Sequence, residues 1–150
     1  MKVSYDMIKR LAGSVCDMID EDTISPDRIV CMAPSGVLFG KMLSEYYDAP
    51  FTSISWSDED EKECNCWIPE DALAGEVIFV VSDITNTNLN NSLCSDFVTS
   101  CAGKEELLDN VIFISLFESV NEDFKADYVG DVLDGITLES IELPWENWWQ

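Results

Sequence analysis

The chain has 150 residues and carries 8 Lys and Arg against 30 Asp and Glu, so its formal charge is −22. This charge excludes direct binding to nucleic acid, because proteins that bind phosphate backbones use Lys and Arg to displace counterions. A hydrophobic content of 47% is enough for one folded domain with a core of its own. No apolar run approaches the about 20 residues that cross a bilayer, so we predict no membrane contact.

The cysteine and histidine content restricts the chemistry. The six cysteines (Cys16, Cys31, Cys64, Cys66, Cys94 and Cys101) are few for a disulfide scaffold, and three of them lie in apolar segments. We therefore expect reduced thiols and a cytoplasmic protein. The spacing of Cys64 and Cys66 does not fit a zinc knuckle, and the chain contains no histidine. Mechanisms that pair Ser or Cys with His are excluded, so acid–base chemistry would fall to carboxylates, Tyr or Lys.

The first third of the chain alternates helical and strand patterns. Apolar residues from Ser4 to Ile19 recur at helical spacing, and Ser4 is suited to cap the helix. The continuous apolar run over 28–33 predicts a strand buried on both faces. Residues 34–36 interrupt it, and a second helix over 37–47 and a second strand over 51–56 follow.

The alternation continues to the end of the chain. Residues 58–63 are densely acidic, which predicts a solvated loop rather than a calcium site. The run over 76–81 is the strongest buried-strand pattern, and the polar residues 82–91 interrupt it. A helix through Leu93, Phe97 and Val98 and a strand over 111–117 come next. We predict a single α/β domain with a mostly parallel central sheet flanked by helices.

Ligands of such sheets bind beyond the carboxyl ends of the strands, where the direction of winding switches. Three predicted loops lie at those ends: residues 34–36, 82–91 and 118–125. We expect any functional site to be built from them.

Four segments of the chain resemble type I phosphoribosyltransferases. Val77 to Asn90 is similar to the strand that ends in two acids and runs into an Asp-Thr-Gly-Gly-Thr loop. Residues 28–40 look like the first strand, pyrophosphate loop and following helix of that family. Residues 125–130 resemble its Pro-Asp-Tyr-Val-Gly segment, and residues 141–146 resemble the closing Ile-x-x-Pro-Trp strand of the small hypoxanthine and xanthine-guanine enzymes.

The resemblance covers nearly the whole chain, and it implies a phosphoribosyltransferase-like domain over 1–146 followed by a Trp-rich tail over 147–150. It also implies positions for a site that binds phosphoribosyl pyrophosphate (PRPP) or a nucleotide. These are Asp83 and Asn86 at the acid positions, Thr85, Asn86, Thr87, Asn88, Leu89 and Asn90 around the phosphate, Ser35 and Gly36 in the pyrophosphate loop, and Glu118 and Ile141 at the base. No cofactor follows from the residues themselves; Mg²⁺ beside Asp83 is implied if the chain is active.

The chain departs from the family pattern at the residues that carry the chemistry. Ser82 replaces the first acid, Asn86 replaces the loop acid, and Asn88 and Leu89 replace the two glycines. A Leu in left-handed backbone would cost about 1–2 kcal/mol. Glu118 stands where the family has a purine-reading lysine, which inverts the charge.

Two further departures lie outside the phosphate loop. Ser140 replaces a stacking tryptophan, and the acidic stretch 58–63 stands where the family has its lid. A lid of that charge would repel a polyphosphate.

These departures favour a protein that keeps the fold, has lost catalytic power, and acts as an acidic binding or regulatory protein with a basic protein partner. One alternative is an active purine phosphoribosyltransferase that uses Mg²⁺. A second alternative is an acidic mimic of nucleic acid that occupies a basic groove. Trp148 and Trp149 lie beyond the resemblance and are candidate anchors for a partner or for a second copy in a homodimer.

Overall fold

The computed structural model describes residues 1–33, 36–55, 72, 74–101, 104–136 and 138–150. Ser35 of the predicted pyrophosphate loop, the acidic stretch 58–63, and Cys64 and Cys66 lie outside the described residues.

Helices and strands alternate along the described chain. They are α1 (Tyr5–Glu21), β1 (Arg28–Ala33), α2 (Val37–Tyr47), β2 (Phe51–Ser55), β3 (Ile78–Ile84), α3 (Thr87–Cys101), β4 (Val111–Ser119) and β5 (Tyr128–Leu133), with short 3₁₀ helices at Glu105–Asn110 and Leu138–Ser140. The predicted cap of α1 is confirmed, since the Ser4 hydroxyl oxygen accepts a hydrogen bond from the Met7 N–H at 3.2 Å.

The five described strands form one parallel sheet in the order β2-β1-β3-β4-β5. The predicted α/β architecture is therefore confirmed. The chain winds from β1 outward to β2 and then crosses back to β3 on the other side of β1. The switch point lies between β1 and β3, and the carboxyl ends of these strands are where a ligand crevice is expected.

Helices cover both faces of the sheet. Alternate residues of β1 divide between two apolar clusters: Ile29 and Cys31 pack in the cluster of α1 and α2, while Val30 and Met32 pack in the cluster of α3. The period of two along a strand explains this division. A run that is apolar at every position is therefore buried on both faces, as the sequence predicts.

Two expectations need correction. The polar residues Ser82 and Asp83 do not end the strand, because β3 continues through Ile84 and pairs it with Phe117. The closing strand expected over 141–146 is reduced to an isolated bridge between Lys2 and Glu142. Pro144 has no N–H for a ladder, and the Leu143 N–H is donated to the Glu146 carboxylate at 2.8 Å.

Candidate functional site

The candidate site lies at the carboxyl edge of the sheet, where the ends of β3 and β4 meet the N-terminus of α3. The link from β3 to α3 is short, and the Thr85 N–H in it donates to the Phe117 carbonyl of β4 at 3.0 Å. This bond holds the link against β4. Side chains from residues 82–90 and from the segment after β4 consequently share one region.

Gly36 lies at the switch point, against the carboxyl ends of β1 and β3. A Cβ atom at this position would lie 2.8 Å from the Met32 carbonyl oxygen and 3.0 Å from the Val81 carbonyl oxygen. The start of α2 therefore packs directly against β3, and only glycine fits there without movement. The role of Gly36 in a pyrophosphate loop stays a prediction.

The retained acid at the end of β3 is largely enclosed. Asp83 is 8% exposed, and its Oδ1 accepts a hydrogen bond from the Ile84 N–H at 2.8 Å. The described residues contain no group of three or more acidic or cysteine side chains that could hold a metal ion. Mg²⁺ keeps several waters and is held in proteins by one or two carboxylates together with substrate phosphates. Asp83 is the carboxylate that would hold it, and Mg²⁺ beside Asp83 stays a prediction.

The segment expected to bind phosphate is already helical at Thr87. The Asn86 side-chain oxygen accepts a hydrogen bond from the Leu89 N–H at 3.0 Å, which is the arrangement of a helix N-cap. Asn86 thus caps α3 and leaves one N–H fewer for an anion. Asn88 is exposed, and Asn90 is buried at 3% exposure.

The side chain of Leu89 lies in the core. It is 6% exposed and packs in the apolar cluster with Leu93 and Phe97 of the same helix. The positive-φ residues of the described chain do not include it. The expected strain of a Leu in left-handed backbone is therefore wrong, because the helix starts early enough to give Leu89 ordinary helical backbone.

A carboxylate from the segment after β4 occupies the N-terminus of α3. Glu122 Oε1 lies 3.4 Å from the Thr87 backbone N, and Glu122 Oε2 lies 3.2 Å from Thr87 Oγ1. The same hydroxyl oxygen accepts a hydrogen bond from the Phe124 N–H at 3.1 Å. Helix N-termini attract negative charge through their free N–H groups and their dipole. Here the chain supplies that charge itself.

A second, buried carboxylate joins the link between β3 and α3 to the segment after β4. Glu118 is 4% exposed, and its Oε1 accepts hydrogen bonds from Thr85 Oγ1 at 3.1 Å and from the Ala126 N–H at 2.8 Å. Thr85 is itself 1% exposed. The residue aligned with a purine-reading lysine is thus a buried carboxylate whose Oε1 accepts donors from both sides. Ile141, the other predicted base-site residue, lies in the apolar cluster of α1 and α2.

Positive charge is scarce at this edge. The three loops that the sequence places at the carboxyl ends contain one cation, Lys125. Its Nζ donates to the Ser119 carbonyl at 3.3 Å and to the Val120 carbonyl at 3.2 Å. The Lys125 side chain therefore joins the two ends of the segment after β4.

Sequence reasoning named the loop that contains Glu122 but not the residue. The rule that ligands lie beyond strand ends selects residues 118–125, and the three acids of that stretch, Glu118, Glu122 and Asp123, look alike in the sequence. The contact joins residues 35 positions apart, so no local pattern reveals it. The described part of the chain also contains no helix long and apolar enough to cross a membrane.

The sequence matches no known family profile, and no curated protein matches it either. Solved structures do resemble it. A purine phosphoribosyltransferase from Pyrococcus horikoshii has a TM-score of 0.68 at 18% identity, and the match covers 97% of this chain and 93% of that one.

Two other structures match over similar lengths. The xanthine-guanine-hypoxanthine phosphoribosyltransferase of Helicobacter pylori has a TM-score of 0.66 at 19% identity, covering 99% and 94% of the two chains. A hypothetical protein from Neisseria gonorrhoeae with bound ppGpp has a TM-score of 0.68 at 18% identity, covering 97% and 89%. The chain therefore has the fold of the type I purine phosphoribosyltransferases.

Proposed function

We propose that this chain is a non-catalytic protein with the phosphoribosyltransferase fold that acts as an acidic binding or regulatory protein. The observation that carries the proposal is the Glu122 carboxylate on the backbone N–H and hydroxyl of Thr87. In the family that the chain resembles, this helix N-terminus receives the 5′-phosphate of PRPP. A phosphate would have to displace an anion that the protein already holds there.

Electrostatics opposes that displacement. Two unit charges about 4 Å apart repel by about 4 kcal/mol at an effective dielectric constant of 20. A phosphate beside Thr87 would face the Glu122 carboxylate, which lies in the segment after β4. The one cation of the three loops, Lys125, donates to backbone carbonyls. The three loops contain no other Lys or Arg that could offset the repulsion.

Under this proposal, Mg²⁺ does little to offset the repulsion between a phosphate and Glu122. Asp83 has one oxygen engaged by the Ile84 N–H and is 8% exposed, so a hydrated ion has poor access to it. The proposal therefore assigns Mg²⁺ no part. The retained Asp83 is also the one observation that favours an active transferase, and it makes a direct test worthwhile.

A binding role fits the charge of the chain. A formal charge of −22 creates a negative field that attracts basic surfaces and speeds their association at low salt. We expect a basic protein partner, with binding that weakens as salt increases.

A turnover assay tests the loss of catalysis. The chain is incubated with PRPP, Mg²⁺ and each of hypoxanthine, guanine and xanthine, and pyrophosphate release is measured. Asp83→Asn is the matched control, because it removes the retained acid while preserving its size. We expect no base-dependent release above that control. Base-dependent release by the native chain that Asp83→Asn abolishes would overturn the proposal.

A further inference from the structure

The last six residues of the sequence contain three tryptophans that differ in environment. Trp145 is partly buried and packs against the core. Trp148 is 77% exposed and Trp149 is 66% exposed, the highest values among the large apolar side chains of the described residues. Exposed tryptophan in a pair is unusual on a protein surface and is enriched at binding hot spots.

The two exposed rings are presented by an ordered turn. The Glu146 N–H donates to the Leu143 carbonyl at 2.9 Å, and the Glu146 carboxylate accepts from the Leu143 N–H at 2.8 Å. Leu143 is 1% exposed, so this turn is anchored in the core. The Gln150 N–H then donates to the Asn147 carbonyl at 3.1 Å, which forms a second turn around the pair.

The rings also have a defined mutual geometry. Their centroids lie 6.0 Å apart and their planes meet at 90°, an edge-to-face arrangement. Because both rings are more than half exposed, a flat cationic group can reach the pair from solvent. A site that is ordered before binding loses less entropy when a partner arrives.

Charge indicates which partner fits. Residues 131–150 contain five acids and no Lys or Arg, and the cations that the structure places against this stretch are the N-terminal amine, beside Ser140, and Lys2, which bridges Glu142. A second copy of the chain would carry the same formal charge of −22, and the repulsion between two such chains opposes self-association. A cation over the face of a tryptophan is attracted by the ring, and tryptophan is the strongest aromatic partner for it. Arginine adds planar stacking to that attraction.

We infer that Trp148 and Trp149 form the docking surface for an arginine-rich segment of a partner protein. This inference rests on the proposed binding function and names the surface and the partner chemistry for it. The acidic residues draw the segment in, and the tryptophan pair fixes where an arginine side chain stacks.

A nona-arginine peptide tests the inference by isothermal titration calorimetry at about 0.15 M salt, where charges separated by more than about 8 Å are largely screened. The native chain is compared with the double variant W148A/W149A. Tyr5→Ala is the matched control, because Tyr5 is 64% exposed and lies on α1. Circular dichroism melts establish that all three chains fold.

We expect the double variant to bind the peptide about tenfold more weakly, the equivalent of about 1.4 kcal/mol, and Tyr5→Ala to bind like the native chain. Binding by the double variant within twofold of the native chain would overturn the inference. The inference would also be overturned if Tyr5→Ala lost as much peptide affinity as the double variant, or if the native chain did not bind the peptide. It would likewise be overturned if the native chain were a dimer and the double variant a monomer. The two experiments can fail separately. Base-dependent pyrophosphate release would overturn the proposed loss of catalysis, whereas the docking surface is decided by peptide binding alone.

Discussion

Replacing Glu122 with alanine removes the carboxylate that occupies the N-terminus of α3. In the native chain this group accepts two hydrogen bonds from Thr87, one from the backbone N–H and one from the hydroxyl. Glu122 is half-buried, so solvent weakens both bonds. We expect Glu122→Ala to lower the free energy of unfolding by about 1–2 kcal/mol, which includes about 0.3–1 kcal/mol from the helix dipole.

The same substitution vacates an anion cradle, so it should confer sensitivity to phosphate. Phosphate that binds only the folded state stabilises it by about 1.4 kcal/mol at ten times its dissociation constant. In the native chain phosphate must first displace Glu122 at a cost of about 1–2 kcal/mol, which weakens its binding about 5- to 30-fold. Phosphate should therefore stabilise Glu122→Ala more than the native chain.

Urea denaturation followed by tryptophan fluorescence measures both effects. Each chain is unfolded in sodium phosphate and in sodium chloride of equal ionic strength. Glu106→Ala serves as control, since Glu106 is an exposed acid on the 3₁₀ helix Glu105–Asn110. Equal phosphate effects on Glu122→Ala and the native chain would refute the reasoning, as would an unchanged midpoint of Glu122→Ala in chloride.

Three further outcomes follow from other contacts. Glu118→Ala leaves the buried Thr85 hydroxyl and the Ala126 N–H without their shared acceptor, so urea titration should show a loss of about 2–4 kcal/mol; a loss below about 0.5 kcal/mol would contradict that role. Burial raises the pKa of Cys31 from 9.0 to about 11. Between pH 9 and 11 the thiol ionises in the unfolded state but stays protonated in the folded state, so the free energy of unfolding falls as pH rises over that range. Cys31→Ala should show a smaller decline in stability over that range, and an identical slope of unfolding free energy against pH would argue against the buried thiol. Deleting 147–150 should alter association more than folding, and identical size-exclusion profiles with and without a basic peptide before and after truncation would count against it.

The helices and strands that bury a continuous apolar face could be predicted from the sequence. The strand Arg28–Ala33 and the helix Val37–Tyr47 have the predicted bounds, because apolar runs and helical periodicity record burial directly. The strand Tyr128–Leu133 was not predicted from the sequence, because the family resemblance marks residues 125–130 as a motif without assigning a strand to them. It is an edge strand, and its Asp131 and Val132 are exposed, so its hydrophobic pattern is weak.

The sequence identifies the edge of the sheet where the candidate site is sought, but not the contacts that its side chains make. Parallel topology brings the loops after β3 and β4 together, which the order of elements already implies. The partners of each side chain depend on long-range contacts. Leu89 turned inward because α3 begins at Thr87, and Glu122 reaches Thr87 across 35 positions of sequence.

Calorimetric titration of the native chain with PRPP in the presence of Mg²⁺ tests the central claim most directly, because PRPP is the ligand that the resemblance to type I phosphoribosyltransferases implies. The account predicts no saturable heat with the native chain, since Glu122 holds the helix N-terminus. Saturable binding at micromolar concentration that Asp83→Asn abolishes would contradict it.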